Sequence, residues 1–230
     1  MKKKLQNITL FGLDCVDIGR LIQAMEICAK DFEFGKIKLL TSLESDSPYI
    51  IKIAPINSIE AYNLFMIKET NSHIDTDFAL VIQYDGFILN PDAWTDEYLK
   101  YDYIGAPWYE DGRFIVGNGG FSLRSRRLLE ILQKDETIRI PVDEPEDTFI
   151  CIEKREYLES KGINFAPVDL ARQFSLEANE NDGVEWTNQF GFHGLKWTDI
   201  SQWLKENPEY KIDNPLDSWA LKIKEKFKNK

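Results

Sequence analysis

Residues 78–85 read FALVIQYD, and the chain runs on as GFILNP to Pro91. Phe78, Ala79, Leu80, Val81 and Ile82 form an unbroken apolar run. Alternation would mark a strand with one wet face. A continuous run of this length marks a strand buried on both faces, as at the centre of a largely parallel sheet. In open α/β sheets, ligands gather at the carboxyl ends of such strands. Gln83, Tyr84 and Asp85 stand at that end, where a carboxylate can leave the core and meet a cation or a metal-bound phosphate. Asp85-Gly86 also reads as an ordinary turn pair, so the rest of the chain must decide between the two.

Upstream, Ile8–Leu13 reads as a first buried strand that Asp14 ends. Ile18, Leu21, Ile22, Met25 and Ala29 fall at helical spacing, and Lys36–Leu40 is a second strand. A β-α-β unit of this kind opens a parallel sheet. Gly12 and Gly19 do not have the spacing of a Gly-rich phosphate fingerprint, so a nucleotide would be held by other means. Tyr49–Ile53 is a third short strand. Ser58 is the expected N-cap of a helix that carries Ile59, Tyr62, Phe65 and Met66 on one face.

Downstream, Pro91 is expected to open a short helix through about Leu99, with Tyr103–Ala106 extended. Residues 116–124 read VGNGGFSLR. Gly117, Gly119 and Gly120 around Asn118 leave bare backbone that suits either close approach by a ligand or a bulged hairpin. Phe121–Arg124 is a strand and Ser125–Gln133 a helix. Glu146 and Asp147 fall in the first turn of a helix expected to reach Lys161, a place that the helix dipole alone favours for acids. Asn164–Ala166 is a late strand and Asp169–Phe174 a helical piece. Glu177–Asn188 is polar and reads as a surface loop. His193, one of two His in the chain, follows in FGFHG, expected as a loop that a metal could reach. Two helices, Thr198–Glu206 and Leu216–Lys228, close the chain.

A net charge of −11 argues against a general nucleic-acid binder. It leaves open a phosphorylated ligand whose charge a metal offsets. Six Trp, nine Tyr and fourteen Phe suit a site for ring-shaped ligands. The three Cys are scattered without metal-like spacing, which suits reduced thiols and a cytoplasmic setting. No stretch reads as a signal peptide or a transmembrane segment. The basic face of Leu216–Lys228 leaves weak peripheral membrane contact as a minor expectation.

The ordered set QYDGF, YDYIGAPW (101–108), VGNGGFSLRS (116–125), PEDTFIC (145–151), FAPVDLARQFS (165–175) and GFHG resembles a bacterial and viral family of glycosyltransferase-like domains with a GT-A fold. The resemblance runs over residues 5–195. It implies one GT-A-like α/β domain, a Rossmann-type mixed sheet flanked by helices. Residues 5–125 would form the nucleotide-sugar half, 126–195 the acceptor and catalytic half, and 196–230 a helical tail. The implied activity is hexosyl or deoxyhexosyl transfer from a nucleotide-diphosphate sugar to a saccharide or lipid-linked glycan, with inversion and with Mn²⁺ or Mg²⁺.

In such enzymes an Asp-x-Asp motif at a strand end holds the metal. Gln83-Tyr84-Asp85 matches that place, with Gln in the first position. Asp85 and His193 are then the implied metal ligands. Asp147 is the implied base, with Glu146 as its substitute or an acceptor anchor. Phe11, Leu13 and Asp14, with Gln83 and Tyr84, would hold the nucleotide. Trp108 or Tyr109 would stack on a sugar face, and Asn118, Gly119 and Gly120 would let the sugar lie against bare backbone. Two other readings use the same residues: a metal-dependent phosphohydrolase or nucleotidyltransferase, and a non-catalytic saccharide-binding module.

Overall fold

The structure, a computed structural model, describes residues 2–140, 144–177 and 184–212. The expected tail helix Leu216–Lys228 lies outside the described residues. Strand β1 (Lys3–Leu13) leads into helix α1 (Ile18–Asp31), whose N-cap Asp17 accepts a hydrogen bond from the Gly19 N–H. Strands β2 (Phe32–Thr41) and β3 (Ile50–Lys52) follow, then α2 (Ile59–Lys68), capped by Ser58 as its sequence position requires. Strand β4 (Phe78–Ile82) is the apolar run. After it come β5 (Tyr103–Ile104), the hairpin β6 (Pro107–Glu110) and β7 (Arg113–Val116), β8 (Ser122–Ser125) and α3 (Arg126–Lys134).

The sheet order is β3-β2-β1-β4-β8-β5. Its first four strands run parallel, and β8 pairs antiparallel to both β4 and β5. The expected class, a mixed α/β sheet flanked by helices, is the class observed. Residues of β4 alternate between two cores: Leu80 and Ile82 join the larger cluster, Ala79 and Val81 the smaller one. That division explains why the run shows no polar alternation. Gly12 pairs with Ile82, so β1 and β4 end level. Leu13 and Asp14 therefore emerge beside Gln83 and Tyr84.

The second half departs from its expected helices. Helix α4 (Glu146–Thr148) is a single turn, a π-helical turn spans Phe149–Glu153, and α5 (Arg155–Ser160) starts afresh. Phe149, Ile150 and Cys151 are all fully buried. Three consecutive residues fan out around a regular helix, so a widened turn is needed to bring them into one core. Pro91–Leu99 is likewise two 3-10 turns, Pro91–Ala93 and Asp96–Lys100, capped by Asn90 and Thr95. Each cap restarts the chain and prevents a continuous helix. Asn164–Ala166 is reduced to a bridge between Phe165 and Tyr103.

Helix α6 (Val168–Phe174) then leads into β9 (Ser175–Glu177). Strand β10 (Val184–Glu185) pairs with β12 (Thr198–Asp199), and β11 (Gly191–His193) pairs parallel with β9. His193 thus lies on a strand and not in a loop. A Cβ at Gly191 would strike the Phe121 ring, so the glycine is what lets this strand lie on the core. Helix α7 (Ser201–Glu206) starts later than expected because Thr198 and Asp199 are held in β12.

Candidate active site

A cleft of about 510 Å³ opens at the carboxyl ends of β1 and β4. Leu13, Asp14, Arg20, Tyr62, Gln83 and Tyr84 are among its walls. Asp14 is buried. One of its oxygens accepts from the Val16 and Asp17 N–H groups at 2.7 and 2.9 Å, and the other accepts from Arg20 Nε at 2.8 Å. The Arg20 guanidinium lies 3.6 Å from the centre of the Tyr84 ring. Asp14 therefore orders the loop and aims a guanidinium across the cleft wall. Phe11 does not belong to this wall. Its ring is fully buried with Leu40, Met66 and Val81 in the smaller core, because it points to the opposite face from Leu10.

Gln83 connects this cleft to a second group of side chains. Its amide nitrogen donates to the Tyr62 hydroxyl at 2.8 Å, and its Oε1 lies 3.1 Å from His193 Nε2. His193 Nδ1 lies 2.9 Å from Glu177 Oε1 and 2.9 Å from Asn118 Nδ2. Glu177 Oε2 accepts from the Trp108 indole N–H. Asp85 Oδ1 is 3.7 Å from His193 Nε2 and is buried without a hydrogen-bond partner. Burial alone lowers the His193 pKa. The hydrogen bond to Glu177 and the charges of Asp85, Glu177 and Asp147 outweigh it and raise the pKa to about 9.

The acidic pair divides its labour. Both Glu146 oxygens accept from the Arg124 guanidinium, at 2.8 and 3.0 Å, and both side chains are out of water. Buried and held at both oxygens by a buried guanidinium, Glu146 is placed as the structural partner of Arg124. Arg124 also donates to the Gly119 carbonyl at 3.1 Å. Asp147 Oδ2 accepts from the Gly119 N–H at 2.8 Å and Oδ1 from the Thr148 N–H at 2.9 Å. Burial and then the neighbouring Glu146 charge push the Asp147 carboxyl up to about 6, against those two hydrogen bonds. A helix of one turn has too little dipole to hold the acid at its ordinary value, so burial wins.

The glycines are occupied by the protein itself. A Cβ at Gly119 would strike Glu146 Oε1, and one at Gly120 would strike the His193 ring. Trp108 lies against Gly117 in the same way. The bare backbone expected to lie against a sugar is instead covered by side chains of the site. Asn118, at φ 54°, turns the chain between them, and its carbonyl accepts from the Tyr103 hydroxyl at 2.7 Å.

The structure thus gathers Gln83, Asp85, Asn118, Gly119, Gly120, Asp147, His193 and Trp108 around one point, with Leu13, Asp14 and Tyr84 in the adjoining cleft. Sequence reasoning passed over Glu177, which holds both His193 and Trp108, and Arg124, which holds Glu146. Arg124 carried one available signal: a lone Arg in a strand expected to be buried needs an acid beside it. Among the described residues, no group of three or more His, Cys, Asp or Glu side chains is arranged to hold a metal ion. The unpartnered Asp85 oxygen, the His193 nitrogen and the Gln83 amide oxygen still form a donor set suited to a cation that accepts imidazole as well as oxygen.

Fold and site together define a mixed α/β protein with a polar site at its strand ends. The chain belongs to the family described as protein of unknown function (DUF5672), which matches residues 49–193. Two solved structures are similar. One is the mannosyltransferase PcManGT from Pyrobaculum calidifontis in complex with GDP-Man and Mn²⁺, at 12% identity over 71% of this chain and 55% of that one, TM-score 0.45. The chain spans about half the length of that protein. The other is a protein from STIV, at 14% identity over 69% of this chain and 80% of that one, TM-score 0.39. No curated protein matches the chain.

Proposed function

We propose that this chain is a GT-A-type glycosyltransferase that moves a sugar from a nucleotide-diphosphate sugar to a saccharide or lipid-linked glycan, with inversion. One observation carries this reading. Gln83 touches both the cleft wall and His193, so the cleft and the acid-imidazole cluster form one continuous site. The nucleotide lies in the cleft against Leu13, Asp14 and Tyr84, and the reacting sugar lies towards Asn118 and Trp108. Residues 5–125 supply the donor side and 126–195 the acceptor side.

Asp147 is the base that takes the proton from the acceptor hydroxyl. Its carboxyl is pushed up to about 6, so it is ionised at neutral pH yet basic enough to accept a proton. Each of its oxygens has one protein donor, which leaves lone pairs for that hydroxyl. Asp85, His193 and the Gln83 amide oxygen would hold Mn²⁺ or Mg²⁺, whose chemistry is to neutralise charge on the leaving diphosphate. A proton on His193 competes with any such cation, so cation affinity rises with pH.

All three Cys are free thiols, in keeping with a cytoplasmic setting. No helix among the described residues is long and apolar enough to cross a membrane. A thermal-shift screen of nucleotide-diphosphate sugars, with and without Mn²⁺, tests the reading. At least one should raise the melting temperature, and more so with the cation. A flat response across the panel contradicts it.

A further inference from the structure

A second cleft, of about 430 Å³, lies between β7 and the turn at Phe165–Val168. Its charged lining is Arg113 and Arg155, with no acidic side chain, in a protein of net charge −11. Tyr101 and the exposed Phe114 supply aromatic surface, with the Arg172 guanidinium 4.4 Å from the Phe114 ring centre, while Phe165 is buried beneath Arg155. Arg113 is exposed and makes no ion pair among the described residues. The Arg155 guanidinium lies 4.3 Å from the centre of the Phe165 ring, and Nη1 is 3.5 Å from the Val116 carbonyl. Its acid partner, Glu159 at 3.0 Å, is half exposed and four residues on in the same helix. Such a pair is weak and screened, and it leaves the guanidinium able to take a second anion.

We propose that this cleft binds an anionic saccharide, the two guanidinium groups pairing with its carboxylates or phosphates and the aromatic side chains lying against its rings. Forked guanidinium donors match an oxyanion's geometry, and ring faces with nearby charge suit a sugar acid better than a neutral glycan. The cleft abuts Val116, which runs directly into Gly117 and Asn118 of the candidate active site. On the glycosyltransferase reading the cleft would hold part of an acidic acceptor. That role as an acceptor subsite rests on the glycosyltransferase reading; the binding itself does not.

The test is titration calorimetry on the full chain without any nucleotide sugar. The probes are an oligogalacturonate, a neutral oligosaccharide of the same ring count, a sugar phosphate and inorganic phosphate. The oligogalacturonate or the sugar phosphate should bind, and added salt should weaken it. Which of the two binds tells carboxylate from phosphate as the recognised group. Arg113→Glu should weaken binding at least about tenfold. Because that side chain is exposed and unpaired, the variant should melt where the wild type does. Arg155→Ala should weaken binding too, and Arg155→Lys should recover only part. Equal binding of the neutral oligosaccharide, binding of inorganic phosphate as tightly as either sugar, or no effect of Arg113→Glu would overturn the proposal. Donor-induced stabilisation is read separately, so failure here is distinguishable from failure of the glycosyltransferase reading.

Discussion

The donor cleft and the cluster around His193 adjoin at Gln83 and are built in opposite ways. The cleft holds one ion pair, Asp14–Arg20, with the Arg20 side chain 35% exposed. The cluster rests on Arg124–Glu146, where both partners are almost wholly out of water. A pair in contact with solvent is weakened by water and leaves its cation free for an incoming ligand. A buried pair is costly to form and still costlier to break, because either partner alone is an uncompensated charge. The first arrangement suits a surface that must exchange nucleotide. The second suits a frame that must keep Gly119, and through it Asp147, in one place.

Removing the buried cation breaks the comparison hardest. Arg124→Met should cost about 3–5 kcal/mol of stability by denaturant unfolding, since Glu146 stays buried and unpaired. Replacing both, as Arg124→Met with Glu146→Leu, should restore most of that loss. If the single variant unfolds like the wild type, Arg124–Glu146 is not the frame. Gly120→Ala comes next. Its Cβ would strike the His193 ring, so a loss of about 1–3 kcal/mol is expected, together with loss of the Nε2–Gln83 contact in an NMR spectrum of the imidazole.

Acid and base titration sharpen the same contrast. Asp147 has a folded pKa of about 6, above an unfolded value of about 3.9. The folded state therefore holds the proton more tightly, and this contribution is full below about pH 4 and lost as pH rises through 6. His193, at about 9 folded against about 6.5 unfolded, contributes fully below 6.5 and loses it as pH rises through 9. Melting curves in metal-free buffer should show both declines. Asp147→Asn should abolish the first and His193→Gln the second. Arg20→Ala is expected to do least to the fold, under about 1 kcal/mol, while weakening any nucleotide that sits on Tyr84. A large loss of stability there would erase the distinction between the two regions.

The sheet centre was legible because a five-residue apolar run ended by Asp85-Gly86 is too short for a buried helix and fits a strand buried on both faces. Gln83–Asp85 at its end, and Asp14 at the end of the neighbouring strand β1, were placed by the strand ends, while their roles came from the resemblance. Asp147 and His193 were visible as residue types, but their settings were not. His193 reads as a loop residue until β9 is known to lie beside it. Glu177 falls in a polar stretch with nothing local to set it apart, and its two partners lie 16 and 69 residues away. Glycines read as open backbone because a sequence shows the absent side chain and not what fills the space. The broken helix after Glu146 has the same origin, since only the core shows that three consecutive side chains must all be buried.

The most direct measurement is release of nucleoside diphosphate from the stabilising nucleotide sugar, with Mn²⁺, with and without a glycan acceptor, for wild type and Asp147→Asn. Acceptor-dependent release by the wild type is expected. It should fall at least about 10²-fold in Asp147→Asn, while the donor still raises that variant's melting temperature. Release that ignores the acceptor, or survives unchanged in Asp147→Asn, would contradict the account.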